Sequence, residues 1–228
     1  MKFLLTAAFT LWTSISFSQT ISYKDWNKQA KTDMRLLPKY GNQPKNDKQK
    51  LADQELIDES IAREGTRRKA SEAFVRNGFN LFYKGDVQTA MSRFNQAWLL
   101  DPENENAFWG FGAIYYSFQD IPNALKQFDE GLVLNPRSSN ILTDKGTIYM
   151  SKYHNEKDTT ALNNAIDYFN NSYEVDSLNQ NTAYKLSVAY FTKKECDNAW
   201  KFYDVCKKLG SKHITEGYTN ALTRNCKR

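Results

Sequence analysis

The chain has 228 residues, 40% of them hydrophobic and 14% aromatic, with a formal net charge of +5. That is apolar material for one ordinary core or a short row of stacked units. The positive charge gathers in the two ends rather than on one folded face, which argues against a nucleic-acid reader.

Residues 1–18, MKFLLTAAFTLWTSISFS, hold Lys2, an apolar run from Phe3 to Trp12, and the small residues Ser16 and Ser18. This is the pattern of a secretory signal peptide cut after Ser18, leaving Gln19 first. The run is too short to span a bilayer, and no later segment approaches eighteen apolar residues. The chain is therefore expected to be exported, periplasmic or secreted.

Residues 19–65 read as a basic arm followed by a short helix. From Gln19 to Lys50 there are eight basic side chains against Asp25, Asp33 and Asp47. Pro38, Gly41 and Pro44, with scattered Tyr23, Trp26, Leu36, Leu37 and Tyr40, predict an extended path. Next, KLADQELIDESIARE places Ala52, Leu56, Ile57 and Ile61 on one side of a short amphipathic helix ending at Gly65. Two roles for the arm stay open. It packs in cis over the rest of the chain, or it meets anionic lipid or polymer through its basic charge.

From residue 66 onward the sequence repeats itself. Shifted by 34 residues, Phe74, Gly78, Leu81, Ala90, Phe94, Ala97 and Pro102 fall on Phe108, Gly112, Tyr115, Ala124, Phe128, Gly131 and Pro136. A third copy carries Leu142, Gly146 and Tyr149, then Ala165, Phe169 and Ser172, with seven extra residues around SKYHNEKDTT. A fourth carries Ala183, Leu186, Ser187, Tyr190, Ala199, Tyr203 and Cys206. The period and its residue types resemble the tetratricopeptide repeat. The copies span about 71–104, 105–138, 139–179 and 180–213, followed by a terminal cap within a repeat domain of residues 66–228.

The resemblance implies an all-α solenoid of helical hairpins. In each pair a small residue (Gly78, Gly112, Gly146 or Ser187) meets Ala90, Ala124, Ala165 or Ala199, so that the backbones approach closely. Phe94, Phe128, Phe169 and Tyr203 fill the layers between copies. Pro102 and Pro136 are expected to end the second helices. The seven extra residues of the third copy are expected to form a polar loop between its helices.

The resemblance also implies a concave face lined by the first helix of each copy. Its positions are Val75, Phe79 and Phe82, then Trp109, Ala113 and Tyr116, then Thr143, Thr147 and Met150, then Tyr184, Val188 and Phe191. Relatives that grip a C-terminal carboxylate use Lys, Arg and Asn there. This chain offers Val75, Phe79, Gly110 and Asp144, so that activity does not carry over. Instead Phe79, Phe82, Trp109, Tyr116, Met150, Tyr184 and Phe191 are expected to hold a protein or peptide segment with apolar anchors.

No catalytic constellation is present. His154 and His213 lack neighbours at metal-ligand spacing, and there is no phosphate loop, HExxH or G-x-S-x-G. The expectation is a non-catalytic binding adaptor or scaffold of the cell envelope without cofactor or metal. The alternative is a structural or self-associating envelope component whose groove is filled by its own arm.

The three cysteines, Cys196, Cys206 and Cys226, fit an oxidising compartment as one bridge and one thiol. Cys206 takes the small-residue slot of Ala97 and Gly131, which favours a buried thiol. Cys196 lies in a turn, and HITEGYTNALTRNCKR would run back beside it as a cap. A Cys196 to Cys226 disulfide follows.

Overall fold

The computed structural model describes residues 21–228. The signal-peptide reading of residues 1–18 lies outside the described residues, as does the first part of the arm.

The arm is not extended. Ser22 accepts a hydrogen bond from the Asp25 amide and starts helix α1, Tyr23–Gln29. Two short 3-10 turns follow, Met34–Leu36 and Pro38–Asn42. Lys39, Tyr40, Gly41 and Asn42 all take left-handed backbone angles, φ between 53° and 63°. Only Gly41 adopts such angles without strain, so the surroundings must hold this turn in place. They do so through burial of Trp26, Leu36 and Tyr40 and through one side chain, Asn95. Asn95 accepts from the Tyr40 amide at 3.2 Å and donates to the Arg35 and Leu37 carbonyls at 2.9 Å each. Helix α2, Asp47–Glu64, begins with a reciprocal capping box between Asn46 and Gln49 and ends at Gly65.

Antiparallel pairs then follow. They are α3 (Arg67–Tyr83) with α4 (Val87–Leu100), α5 (Glu105–Ser117) with α6 (Ile121–Leu134), α7 (Ser139–Glu156) with α8 (Thr159–Val175), and α9 (Gln180–Thr192) with α10 (Cys196–Lys208). A last helix, α11 (Glu216–Asn225), packs on the fourth pair. Among the described residues there are no strands.

In the first three pairs the glycine does more than meet the alanine opposite, as Gly146 does at the Ala165 carbonyl. A Cβ placed on Gly78 would strike the ring of Phe94, and one on Gly112 the ring of Phe128. On Gly146 it would strike Phe169. Each missing side chain is thus the seat of the large aromatic four residues beyond the alanine. Gly110 provides a second seat for Phe94 from the following pair, which explains why FWGFG carries two glycines. The fourth copy replaces the seat by a bond, Ser187 Oγ donating to the Ala199 carbonyl at 2.8 Å.

The second helices also end by a cause other than proline alone. Asp101, Asn135 and Asp176 share an extended backbone, φ of −145°, −140° and −139°. Each accepts a bond from the amide two residues on, Glu103, Arg137 and Leu178 respectively, at 3.0–3.1 Å. This side-chain turn recurs where Ser177 stands in place of a proline, so it is the common stop.

The extra residues of the third copy are helix, not loop. Helix α7 continues to Glu156, where Lys157 closes it in a left-handed conformation, φ 58°, and Asp158 caps α8 by accepting from the Thr160 amide. The longer helices find packing through Tyr149, which stacks on Tyr168 at 5.4 Å, and through Tyr153 beside the Leu162 cluster. Deleting Asn155 to Thr160 therefore removes the last two residues of one helix, and the cap and first two residues of the next. Thermal unfolding should show a clear fall in melting temperature, of the size expected for a lost cap plus lost helix, about 2 kcal/mol. An unchanged melting point would mean that these turns contribute nothing to the fold.

Candidate functional site

The first helices line one face and the second helices the other. The arm lies on the second. Lys39 pairs with Glu130 on α6, Gln29 accepts from Gln88 on α4, and Asn95 of α4 holds the arm's backbone. Where the arm starts, Tyr23 stacks on Phe118 at 5.2 Å and Trp26 lies 5.1 Å from the same ring, beside the turn between α5 and α6. From Gln29 to Asn42 the arm therefore lies against α4 and α6, while Ile21, its first described residue, reaches a pocket beside Phe82 at the edge of the concave face.

On that face the expected residues fall into three groups. Val75, Phe79, Ala113 and Thr143 are buried. Thr143 joins an interior hydroxyl network with Ser172 and Thr182, and Phe79 lies under Trp109 with ring centres 4.0 Å apart. Phe82, Trp109, Tyr116, Thr147, Met150 and Val188 are partly exposed and form the open surface. The Trp109 indole donates to Asp144 at 2.7 Å, and the Tyr116 hydroxyl meets Ser151 Oγ at 3.2 Å. Tyr184 and Phe191 are brought together by the terminal helix, since Tyr218 packs on both, at 5.6 and 5.9 Å.

Two charged groups on this face stand one residue beyond the aromatic positions. Asp144 follows Thr143, and Lys185 follows Tyr184, the same offset as Gly110 after Trp109. Burial pushes the Asp144 carboxyl above the ordinary aspartate value, against the opposing pull of the Trp109 indole and of Lys185. Burial pushes the Lys185 ammonium below the ordinary lysine value, with Asp144 pulling the other way. Lys185 was missed because the column of Gly110 and Asp144 was not followed into the fourth copy. The offset shared with Asp144 was the signal that could have found it. Thr147, Met150, Ser151, Phe169, Tyr184 and Val188 surround Lys185 in a pocket of about 150 Å³.

Among the described residues no cluster of His, Cys, Asp and Glu could hold a metal ion, and no helix is long and apolar enough to cross a membrane.

The 34-residue register of glycine under phenylalanine, carried by consecutive helical pairs, decides the architecture. The fold is a tetratricopeptide-type solenoid. No family model matches the sequence, and a search of curated proteins gives no match. Among solved structures, the Pseudomonas aeruginosa pilF protein is 15% identical over 69% of this chain and 85% of its own, with a TM-score of 0.40. The MamA protein is 13% identical over 72% of this chain and 96% of its own, with a TM-score of 0.47. YrrB, a TPR protein with an unusual peptide-binding site, is 17% identical over 74% of this chain and 96% of its own, with a TM-score of 0.34.

The solenoid ends in a covalent clasp. Cys196 and Cys226 form a disulfide with Cα atoms 5.2 Å apart, and Cys206 is a buried free thiol. Trp200 Nε1 donates to the Cys226 carbonyl at 2.8 Å, and the Arg228 guanidinium lies 4.3 Å over the Trp200 ring. Within α11 itself only Leu222 is buried. Tyr218, packed on Tyr184 and Phe191 with its hydroxyl 2.6 Å from Ser187 Oγ, holds the middle of α11, and the bridge fixes its far end. Cys226→Ser should lower stability by about 2–4 kcal/mol. Amide exchange should show Glu216–Asn225 losing protection before any other helix, whereas a uniform loss would show that the cap is integral to the whole solenoid.

Proposed function

We propose that the chain is an exported, non-catalytic protein-binding scaffold of the cell envelope, holding a partner segment with apolar anchors on its concave face. The observation that carries this reading is the partly exposed strip of Phe82, Trp109, Tyr116 and Met150, which the arm from Gln29 to Asn42, packed on α4 and α6, leaves open among the described residues. Partly exposed aromatics on rigid helices give large contact area at small entropic cost, the usual currency of protein interfaces. Buried Phe79 supports Trp109 from below, and Tyr184 and Phe191 form the closed end of the groove against Tyr218.

A second observation favours a further contact on the other side. Lys24, Lys28, Lys31 and Lys48 remain exposed on the arm, as do Arg35 and Lys50 beside Asp33 and Asp47, while Lys39 and Lys45 are engaged by Glu130 and Asp53. That basic surface suits an anionic envelope surface, lipid or polymer, with the concave face turned away from it.

Export makes a direct expectation. The mass of the intact protein recovered from its own cells should begin at Gln19; a chain retaining Met1 in the cytoplasm would remove the envelope from the proposal.

For the groove, Trp109→Ala or Tyr116→Ala should each weaken partner binding by about 2 kcal/mol with little change in melting temperature. Gly112→Leu should instead unseat Phe128 and lower stability whether or not a partner is present. A photo-crosslinking residue at Tyr116 should capture the partner, and one at exposed Val133 on α6 should not. Equal loss of stability for Trp109→Ala and Gly112→Leu would make Trp109 a core residue and end the groove reading.

A further inference from the structure

We propose that the pocket around Lys185 receives a glutamate or aspartate side chain from within an otherwise apolar partner segment, its carboxylate pairing with the Lys185 ammonium. This rests on the reading of the concave face as a partner groove and gives that partner a second recognition element beside its apolar anchors.

Lys185 is the charged concave-face group that has no hydrogen-bond or ion-pair partner among the described residues. The Trp109 indole is bonded to Asp144, and Tyr116 to Ser151. Thr147 Oγ1 donates to the Thr143 carbonyl at 2.8 Å. The Lys185 ammonium has neither a hydrogen bond nor an ion pair; Asp144 influences it only at longer range. Lys145, on α7, shows what the same fold does with a structural lysine. It is buried, paired with Asp129, and set 4.9 Å over the ring of Tyr168.

Lys185 is partly exposed in a pocket with largely apolar walls, so water solvates the free ammonium and an incoming carboxylate replaces that water with a charge-assisted pair. Partial burial lowers the Lys185 pKa, the direction that pairing with a carboxylate reverses. The walls decide between anions. Met150, Val188 and Phe169 offer apolar surface, with the hydroxyls of Thr147 and Ser151 at one side. The methylenes of a glutamate match such walls, whereas a chain-terminal carboxylate brings none. Asp144 nearby disfavours a second negative charge, so a single acidic residue suits the site better than an acidic run.

Selection from short random segments decides it, using one pool presented inside a loop and one with free C-termini. Both are selected against the full mature chain and against its Lys185→Met variant. The expected result is glutamate or aspartate at a fixed distance from an apolar anchor in the loop pool, with no acidic preference on Lys185→Met. Replacing that acid by its amide should weaken binding about tenfold to wild type and leave binding to Lys185→Met within about twofold. The Lys185→Met melting temperature should equal or exceed that of wild type. Apolar segments without an acid, an acidic preference that survives Lys185→Met, or acids enriched only at free C-termini would each overturn the assignment and leave the groove standing. A melting temperature below wild type would make Lys185 a packing residue and overturn it too. Enrichment in neither pool, or enrichment indifferent to Trp109→Ala, would overturn the groove reading and this assignment together.

Discussion

Everything in this solenoid depends on a large aromatic ring lying where a side chain is missing. Phe94 over Gly78, Phe128 over Gly112 and Phe169 over Gly146 fix how closely the two helices of a pair approach. All three rings are essentially excluded from solvent. Their burial supplies the local stability that a single hairpin lacks. Because Phe94 also lies against Gly110, the same ring sets the distance to the next pair, so one contact determines both the hairpin and its stacking. The concave face inherits its shape from this spacing. Trp109, Asp144 and Tyr116 meet their partners across neighbouring first helices only because those helices are held at a fixed separation.

The arm depends on the solenoid in turn. It has no periodic pattern and includes a left-handed turn that would be unfavourable in isolation. Asn95 compensates by ordering three backbone groups of the arm with one side chain that is itself fully buried. A buried amide with its donors and acceptor satisfied specifies one docking position, since any shift leaves it unpaired at a cost of about 1–3 kcal/mol. The consequence is that the arm from Gln29 to Asn42 is fixed on the outer side, against α4 and α6.

The repeats were legible in the sequence because their determinants are local and recur every 34 residues. The arm was not, since Trp26, Leu36 and Tyr40 are buried by residues far along the chain, and proline and glycine signals describe only local preference. The third pair failed for a related reason. Once the period breaks, polar residues such as Asn155 and Glu156 look like a loop, and the left-handed stop at Lys157 carries no glycine to mark it. Of the concave residues, the pattern identified the columns but not their depth. Phe79 and Thr143 occupy the right side of the helix yet are covered by their neighbours, and that depends on the size of residues in adjacent copies.

Asp144 and Lys185 are both shifted toward their neutral forms, and the directions have a definite meaning for stability. A carboxyl raised in the folded state opposes folding once the pH exceeds its unfolded value, and does so fully above its folded one. An amine lowered in the folded state opposes folding fully below its folded value and is relieved as the pH rises toward the unfolded one. Between the carboxyl and amine ranges both penalties act together. A solenoid built only for stability would place apolar residues at these two positions, as it does at Gly110 in the same column. Both side chains are partly exposed, so solvent tempers the two penalties while each keeps its direction.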